Sequence, residues 1–178
     1  LTDTRAGRIA SPTRQMDGDT DHTVTGTELR DVANVGARGR LLWDPTDSLS
    51  LLFTAEYSED DLVGPSARNY QGADPAEVME LLGVGFLAPF LVPTSSDPYK
   101  VEAGEDGFSD REMSAGTLQL DWDFGAATLT SITGYREQEY EFFDDLMGLA
   151  FAPESGLAPI LTNFAEEESE QFSQELRL

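Results

Sequence analysis

The residues whose types and spacing could do chemistry lie near the start of the chain. Asp17, Asp19 and Asp21 alternate, and Glu28 falls at the twelfth position counted from Asp17. That is the ligand spacing of a calcium loop, in which carboxylates at alternate positions and a final Glu surround the ion. His22 stands at the sixth position, where such a loop needs Gly for its sharp turn, and no helical pattern flanks the segment. A polar extracellular loop is the competing reading of these four acids and the preferred one. His22 is also the only histidine. A Ser-His-Asp hydrolase would depend on it, yet no Gly-x-Ser-x-Gly elbow occurs, so a solvent-exposed loop histidine is expected. Carboxylate pairs such as Asp60/Asp61 and Asp144/Asp145 have the residue types for glycoside hydrolysis. That reaction needs two carboxylates at a fixed separation on a rigid scaffold. These pairs fall in segments read as long loops, so no enzyme activity is expected. The chain has no Cys, which excludes disulfides, thiolate zinc sites and a Cys nucleophile.

The overall charge narrows the partners. Of 178 residues, 34 are acidic and 11 basic, a net charge of −23. Such a surface repels nucleic acid, whose recognition needs clustered Lys and Arg. The acids concentrate around residues 59–61, 102–112, 137–145 and 166–170. They read as solvated loop charge. The alternative is that they hold divalent cations.

The elements that must position these groups are strands. In residues 33–43 the odd positions include Val35, Leu41 and Trp43, and the even ones Asn34, Arg38 and Arg40. Residues 48–58 repeat the pattern with Leu49, Leu51, Phe53 and Tyr57 against Ser50, Thr54 and Glu56. Period two over such a length means a strand with one apolar and one polar face. Asp44-Pro45-Thr46-Asp47 joins the two as a tight turn. Further strands are expected near 114–123, 127–139 and 169–178, with a bulge at Gly134. Residues 10–31, 59–110 and 140–168 read as long loops. A short helix is expected after Asp74, with Asp74 as N-cap, Pro75 at the first helical position and Gly83 and Gly85 at its end. Connections thus alternate short and long. Both tryptophans, Trp43 and Trp122, sit beside the short ones. Strands of about ten residues, aromatics at the ends of the apolar face, short turns on one side and long loops on the other form the pattern of an outer-membrane barrel. The expected fold is all-β: an antiparallel up-and-down meander of about five or six long strands, a segment of an outer-membrane β-barrel. The absence of an initiator Met and leader at Leu1, and an alternating run reaching Leu178, suggest a piece of a longer protein, residues 1–178 forming one partial barrel.

Several of these runs resemble TonB-dependent outer-membrane receptors. Gly39-Arg40-Leu41-Leu42-Trp43-Asp44-Pro45-Thr46-Asp47 is similar to the strand and turn near the start of that family's barrel. Tyr57-Ser58-Glu59-Asp60-Asp61 resembles the exit of its next strand. Ala127-Thr128-Leu129-Thr130-Ser131-Ile132-Thr133-Gly134-Tyr135-Arg136 and Phe172-Ser173-Gln174-Glu175-Leu176-Arg177-Leu178 resemble two later strands. The resemblance covers about half the chain, all strands and short turns. It implies a bacterial outer-membrane location. It also implies a full-length parent, driven by the TonB system, that imports a scarce small nutrient such as an iron–siderophore, cobalamin or an oligosaccharide. The family's barrel has 22 strands and a plugged lumen. The plug and the TonB box are not in this sequence, so the segment alone is not expected to transport.

On that reading Arg38, Arg40, Gln119, Asp121, Glu175 and Arg177 face the lumen, as a polar wall against the plug or as a substrate path. The apolar loop stretches 78–92 and 146–161 are expected to pack on each other, with substrate or lipoprotein contact as alternatives. An isolated segment has open strand edges and is expected to self-associate through them. The runner-up is a soluble all-β binding module that recognises a carbohydrate or a cation, with sheets packed face to face.

Overall fold

Backbone amides and carbonyls need partners, and long stretches of alternating side chains let them find those partners in neighbouring strands without mixing the two faces. The computed structural model describes residues 4–65 and 74–178. Along the chain come β1 (Arg5–Ala10), β2 (Thr13–Met16), β3 (Thr20–His22), β4 (Glu28–Leu29), β5 (Val32–Thr46) and β6 (Leu49–Val63). Helix α1 (Pro75–Leu81) follows, then β7 (Lys100–Val101), β8 (Phe108–Asp123), β9 (Thr128–Asp145) and β10 (Thr162–Arg177). The protein is all-β and mostly antiparallel, as the sequence pattern predicts.

The main sheet has the order β1, β5, β6, β8, β9, β10, with β2 also on β5. Strands β1 and β2 are one strand interrupted at Ser11-Pro12. Ala10 faces Arg38 and Thr13 faces Val35, so the register carries across the break. Pro12 has no N–H to donate. Its carbonyl accepts from Gly36 N at 2.9 Å, while Ser11 Oγ donates to the Gly36 carbonyl at 2.9 Å. The result is an uninterrupted up-and-down meander.

The strands run further than side-chain polarity suggests. β6 extends to Val63, β8 begins at Phe108, β9 reaches Asp145 and β10 begins at Thr162. The acidic runs read as loop charge therefore lie largely on strands. Solvated carboxylates do not interrupt a ladder whose hydrogen bonds are backbone to backbone. Residues 10–31, read as one loop, hold β2, β3 and β4. No bulge occurs at Gly134, which faces Thr117 and Ser173 in unbroken register. A Cβ there would lie 2.8 Å from Ser173 Oγ, so the glycine gives the neighbouring strand room rather than bending its own. Among the described residues the main sheet's register shifts between Trp43 and Thr46, at the short turn.

The closed cores lie outside the main sheet. Met79, Met147, Leu149 and Phe151 form one, with Val78, Val84, Leu87 and Leu91 around it. The two long connections thus pack on each other, as expected for 78–92 and 146–161. Backbone bonds join them too: Val92 N donates to the Ala150 carbonyl at 2.9 Å, and Ala152 N to the Phe90 carbonyl at 2.7 Å. Helix α1 starts as its sequence indicates, with Asp74 Oδ1 accepting from Ala76 N at 2.9 Å. A second core joins Leu29, Val101 and Ala103 where β7 lies parallel to β3 and β3 pairs with β4.

The connection from β6 to β8 is pinched at its base. Gly64 N donates to the Gly107 carbonyl at 3.0 Å, and both glycines have left-handed backbones, at φ 65° and 74°. A Cβ on Gly107 would meet the Phe143 carbonyl at 2.9 Å. Gly107→Ala is expected to cost about 1–2 kcal/mol from the left-handed conformation, with the backbone clash in addition. Urea unfolding monitored by circular dichroism measures it.

Candidate functional site

Cross-strand register decides which side chains share a face. On one face Trp43, Leu51 and Leu120 lie in a row across β5, β6 and β8, and Leu41, Phe53 and Leu118 form the next. Ala37, Tyr57 and Ser114 close this band at its upper edge. Trp122 faces Leu49 beside the short turns, and Tyr135 pairs with Phe172 on the far strands. The rise from Leu49 to Tyr57 is about 27 Å along the strand at about 3.4 Å per residue.

On the opposite face lie Arg38, Arg40, Gln119, Asp121, Glu175 and Arg177, the residues expected there. Gln119 Nε2 donates to Asp121 Oδ2 at 2.7 Å, and Thr130 Oγ1 to Asp121 Oδ1 at 2.6 Å. Burial runs against hydropathy. Thr54 on the polar face is 7 % exposed, whereas its neighbour Phe53 is 49 % exposed. From Phe53 to Leu62 the residues on the apolar side stay more exposed than those on the polar side. No sheet packs over the apolar face among the described residues; the smaller sheet of β3, β4 and β7 belongs to the long connections.

Above the apolar band the same face turns acidic. Glu59, Glu112, Glu139 and Glu168 stand opposite one another across four strands, and Asp61, Asp110, Glu141 and Glu166 form the next row. Like charges directly opposite are destabilising. Burial, then the neighbouring carboxylates of Asp61 and Glu141, push the Asp110 carboxyl above its ordinary range. At the same height on the polar face the balance reverses. Arg111 donates to Asp60 from both Nε and Nη2, and Asn34 Nδ2 donates to the same carboxylate. The guanidinium and the amide hold Asp60 below the ordinary carboxylate range.

The expected calcium ligands are spread along the small sheet. Asp21 faces Glu28 across the β3–β4 pair, and Asp19 lies 3.3 Å from Arg30 Nη1 and accepts from Thr20 Oγ1 at 3.0 Å. Asp17 precedes β3. Among the described residues no group of three or more His, Cys, Asp or Glu side chains is gathered as a metal site.

His22 is not the exposed loop residue its sequence context suggests. It is 1 % exposed because Lys100–Val101 adds to β3 as a parallel strand and places Val101 beside it. Its Nδ1 accepts from Thr25 N at 3.0 Å and lies 3.4 Å from Asp106 Oδ1. Asp106 in turn accepts from Thr25 Oγ1 at 2.6 Å and Thr27 Oγ1 at 2.7 Å. Nε2 is buried without a hydrogen-bond partner. Hydroxyl and carboxylate therefore both approach Nδ1. A nucleophile relay needs them on opposite ring nitrogens. The cluster fastens the β3–β4 hairpin to the segment before β8. The only signal for it in the sequence was two threonines close to His22, Thr25 and Thr27, and an aspartate about eighty residues away, Asp106.

A second buried anchor is Asp145, at the end of β9. Its carboxylate accepts from Met147 N at 2.9 Å, Gly148 N at 3.1 Å and Gly104 N at 2.8 Å. It ties the two long connections together. Two neighbouring acids, Asp144 and Asp145, are both buried, and Asp145 is engaged by backbone amides.

Comparisons of the chain with protein families, curated proteins and solved structures find no match.

The acidic rows generate a pH prediction. Asp110 has a folded-state pKa above its unfolded value, so its contribution is favourable at low pH and is lost as pH rises through the folded value. Asp110→Asn should therefore stabilise the protein at neutral pH, by on the order of 0.5 kcal/mol. The gain should vanish below the ordinary carboxylate range. Thermal unfolding of both proteins across pH 3–8 checks it.

Proposed function

We propose that this chain forms part of the wall of an outer-membrane β-barrel of the TonB-dependent receptor type, whose complete form imports a scarce small nutrient across the outer membrane of a Gram-negative bacterium. One observation carries the reading. The apolar face of a five- to six-strand meander is the more exposed face, bounded by Trp43 and Trp122 at the turns and by Tyr57 and Tyr135 above. In water such a face would be the protein's core; in a bilayer it meets lipid.

Several further features support it. The turns at Asp47-Ser48 and between Asp123 and Thr128 are short, whereas the connections at the other end are long and carry their own cores. Transmembrane strands need every backbone group paired, which 15- to 18-residue ladders provide. Membrane barrels need at least about eight strands to close, so further strands must continue the outer edges of β1/β2 and β10. On its own the segment would pair through those edges with another copy. The resemblance of residues 39–47, 127–136 and 172–178 to TonB-dependent receptors is what directs the reading to nutrient import rather than to another barrel. The plug, the TonB contact and the nutrient site belong to the rest of such a receptor, and no catalytic role is assigned to this segment.

A soluble all-β module that binds carbohydrate or a cation is the second reading. It needs a layer over Leu51, Phe53, Leu118 and Leu120, and nothing in the chain supplies one among the described residues.

Adjacent substitutions on β8 test the sidedness. Leu120→Arg places a charge on the lipid face and should cost about 2–4 kcal/mol in a bilayer. Gln119→Arg, one residue away on the polar face beside Asp121, should cost less than about 1 kcal/mol. Equal costs in vesicle refolding titrations contradict the proposal. Fractionation of the native gene product is the coarser test: a heat-modifiable band in the outer membrane is expected, and a soluble form near 19.4 kDa contradicts it.

A further inference from the structure

The chain carries about three times as many acids as bases, yet at one corner of its polar face two arginines stand opposite each other with no paired carboxylate among the described residues. Arg8 on β1 stands directly opposite Arg40 on β5. Arg38 lies two residues along β5 on the same face, opposite Ala10. With Ala10 and Pro12 these arginines line a groove of about 210 Å³. Glu56 meets Arg38 Nε at 2.8 Å. No carboxylate among the described residues is paired with Arg8 or Arg40.

This arrangement is costly when empty. Like charges directly opposite on a strand pair repel. Elsewhere on the same face Arg111 has Asp60 and Arg177 has Glu175, while Arg14 and Arg136 have no ion pair among the described residues but do not face another arginine. Guanidinium groups present flat forks of N–H donors that match the oxygens of phosphates and carboxylates. Three arginines that line one small groove, with one carboxylate beside Arg38, leave a net positive site sized for a compact anion. Its walls and its Pro12 rim are set by the β1–β5 register, so the backbone ladder rather than a flexible loop places the three arginines beside one another.

We propose that Arg8, Arg38 and Arg40 form a binding site for a small multivalent oxyanion of the phosphate class. The proposal goes beyond the barrel reading, since it rests on the polar face and the β1–β5 pairing alone. Arg8 and Arg40 supply the uncompensated charge. Arg38, oriented by Glu56, supplies a third fork.

Isothermal titration of the purified, detergent-solubilised protein with inorganic pyrophosphate tests it. Saturable binding with one site is expected, weakening as salt is raised. Arg40→Gln should lower affinity about tenfold, the loss of one charge-assisted bidentate contact. Arg8→Gln/Arg40→Gln should abolish binding. Arg40→Lys should retain part of it, and Arg177→Gln, distant on the same face, should leave it unchanged. Should the double variant fail to fold, the side-chain Nε–H resonances of Arg8 and Arg40 in the unaltered protein report instead, and they should shift with pyrophosphate. Absence of saturable binding by folded protein, unshifted arginine resonances, or an equal loss in Arg177→Gln overturns the proposal.

Discussion

The structure depends on one unmet demand: among the described residues nothing covers the apolar face of its main sheet. Leu51, Phe53, Leu118 and Leu120 are lined up by register as a core would be, yet Phe53 and Leu118 remain 49 % and 44 % exposed. The fully buried apolar residues are Leu29, Met79, Val101, Leu149 and their neighbours, all in the long connections or the small sheet they hold. The hydrophobic effect has thus been satisfied locally at one end and left open along the sheet. In the proposed setting a surrounding apolar solvent would resolve this with no change in the fold. Each residue of the ladder would keep its backbone partners, and the alternation that looks inverted in water would become the ordinary one for a barrel wall.

Charge is sorted by the same register. The rows headed by Glu59 and Asp61 put eight carboxylates on the apolar side, above the band. Arg8, Arg38, Arg40 and Arg111 fall on the polar side, whereas Arg5 stands opposite Trp43 on the apolar one. Repulsion within the acidic rows and within the Arg8–Arg40 pair works against stability, and neither arises from packing needs. Long strands with dozens of backbone hydrogen bonds can carry such local costs, which leaves side chains above and behind the band free to serve recognition. The connections need tighter definition. They obtain it from buried polar anchors, Asp145 on three backbone amides and His22 with Asp106 and Thr25.

Much of the sheet was legible in the sequence because period two is a strong signal where residues alternate between Leu or Phe and Ser or Thr. The short turn after Asp123, the helix at Asp74-Pro75 and the sharing of a face by Arg38, Arg40, Gln119 and Asp121 followed from the same local rules, whereas Asp44 to Thr46, read as turn, continue β5 and the chain reverses at Asp47-Ser48. The strand ends were not legible. Glu59-Asp60-Asp61 and Glu166 to Glu170 look like loop by composition, yet they extend the ladder because the neighbouring strand continues beside them. His22 misled for a related reason. Its surroundings, Lys100–Val101 and Asp106, are about eighty residues away in the chain, and no local pattern announces a parallel strand two residues long. The Arg8–Arg40 pairing is likewise a property of register, invisible until β1 is placed against β5.

The central claim is that the Trp-bounded apolar face meets lipid. Reconstitution into vesicles whose acyl chains carry bromine at defined depths tests it most directly, with Trp43 and Trp122 as the only tryptophans. The account predicts strong quenching of both by bromines close to the headgroups, and weaker quenching by those at the bilayer centre. Fluorescence that bromine leaves unchanged at every depth, from protein that stays monomeric in water, would contradict it.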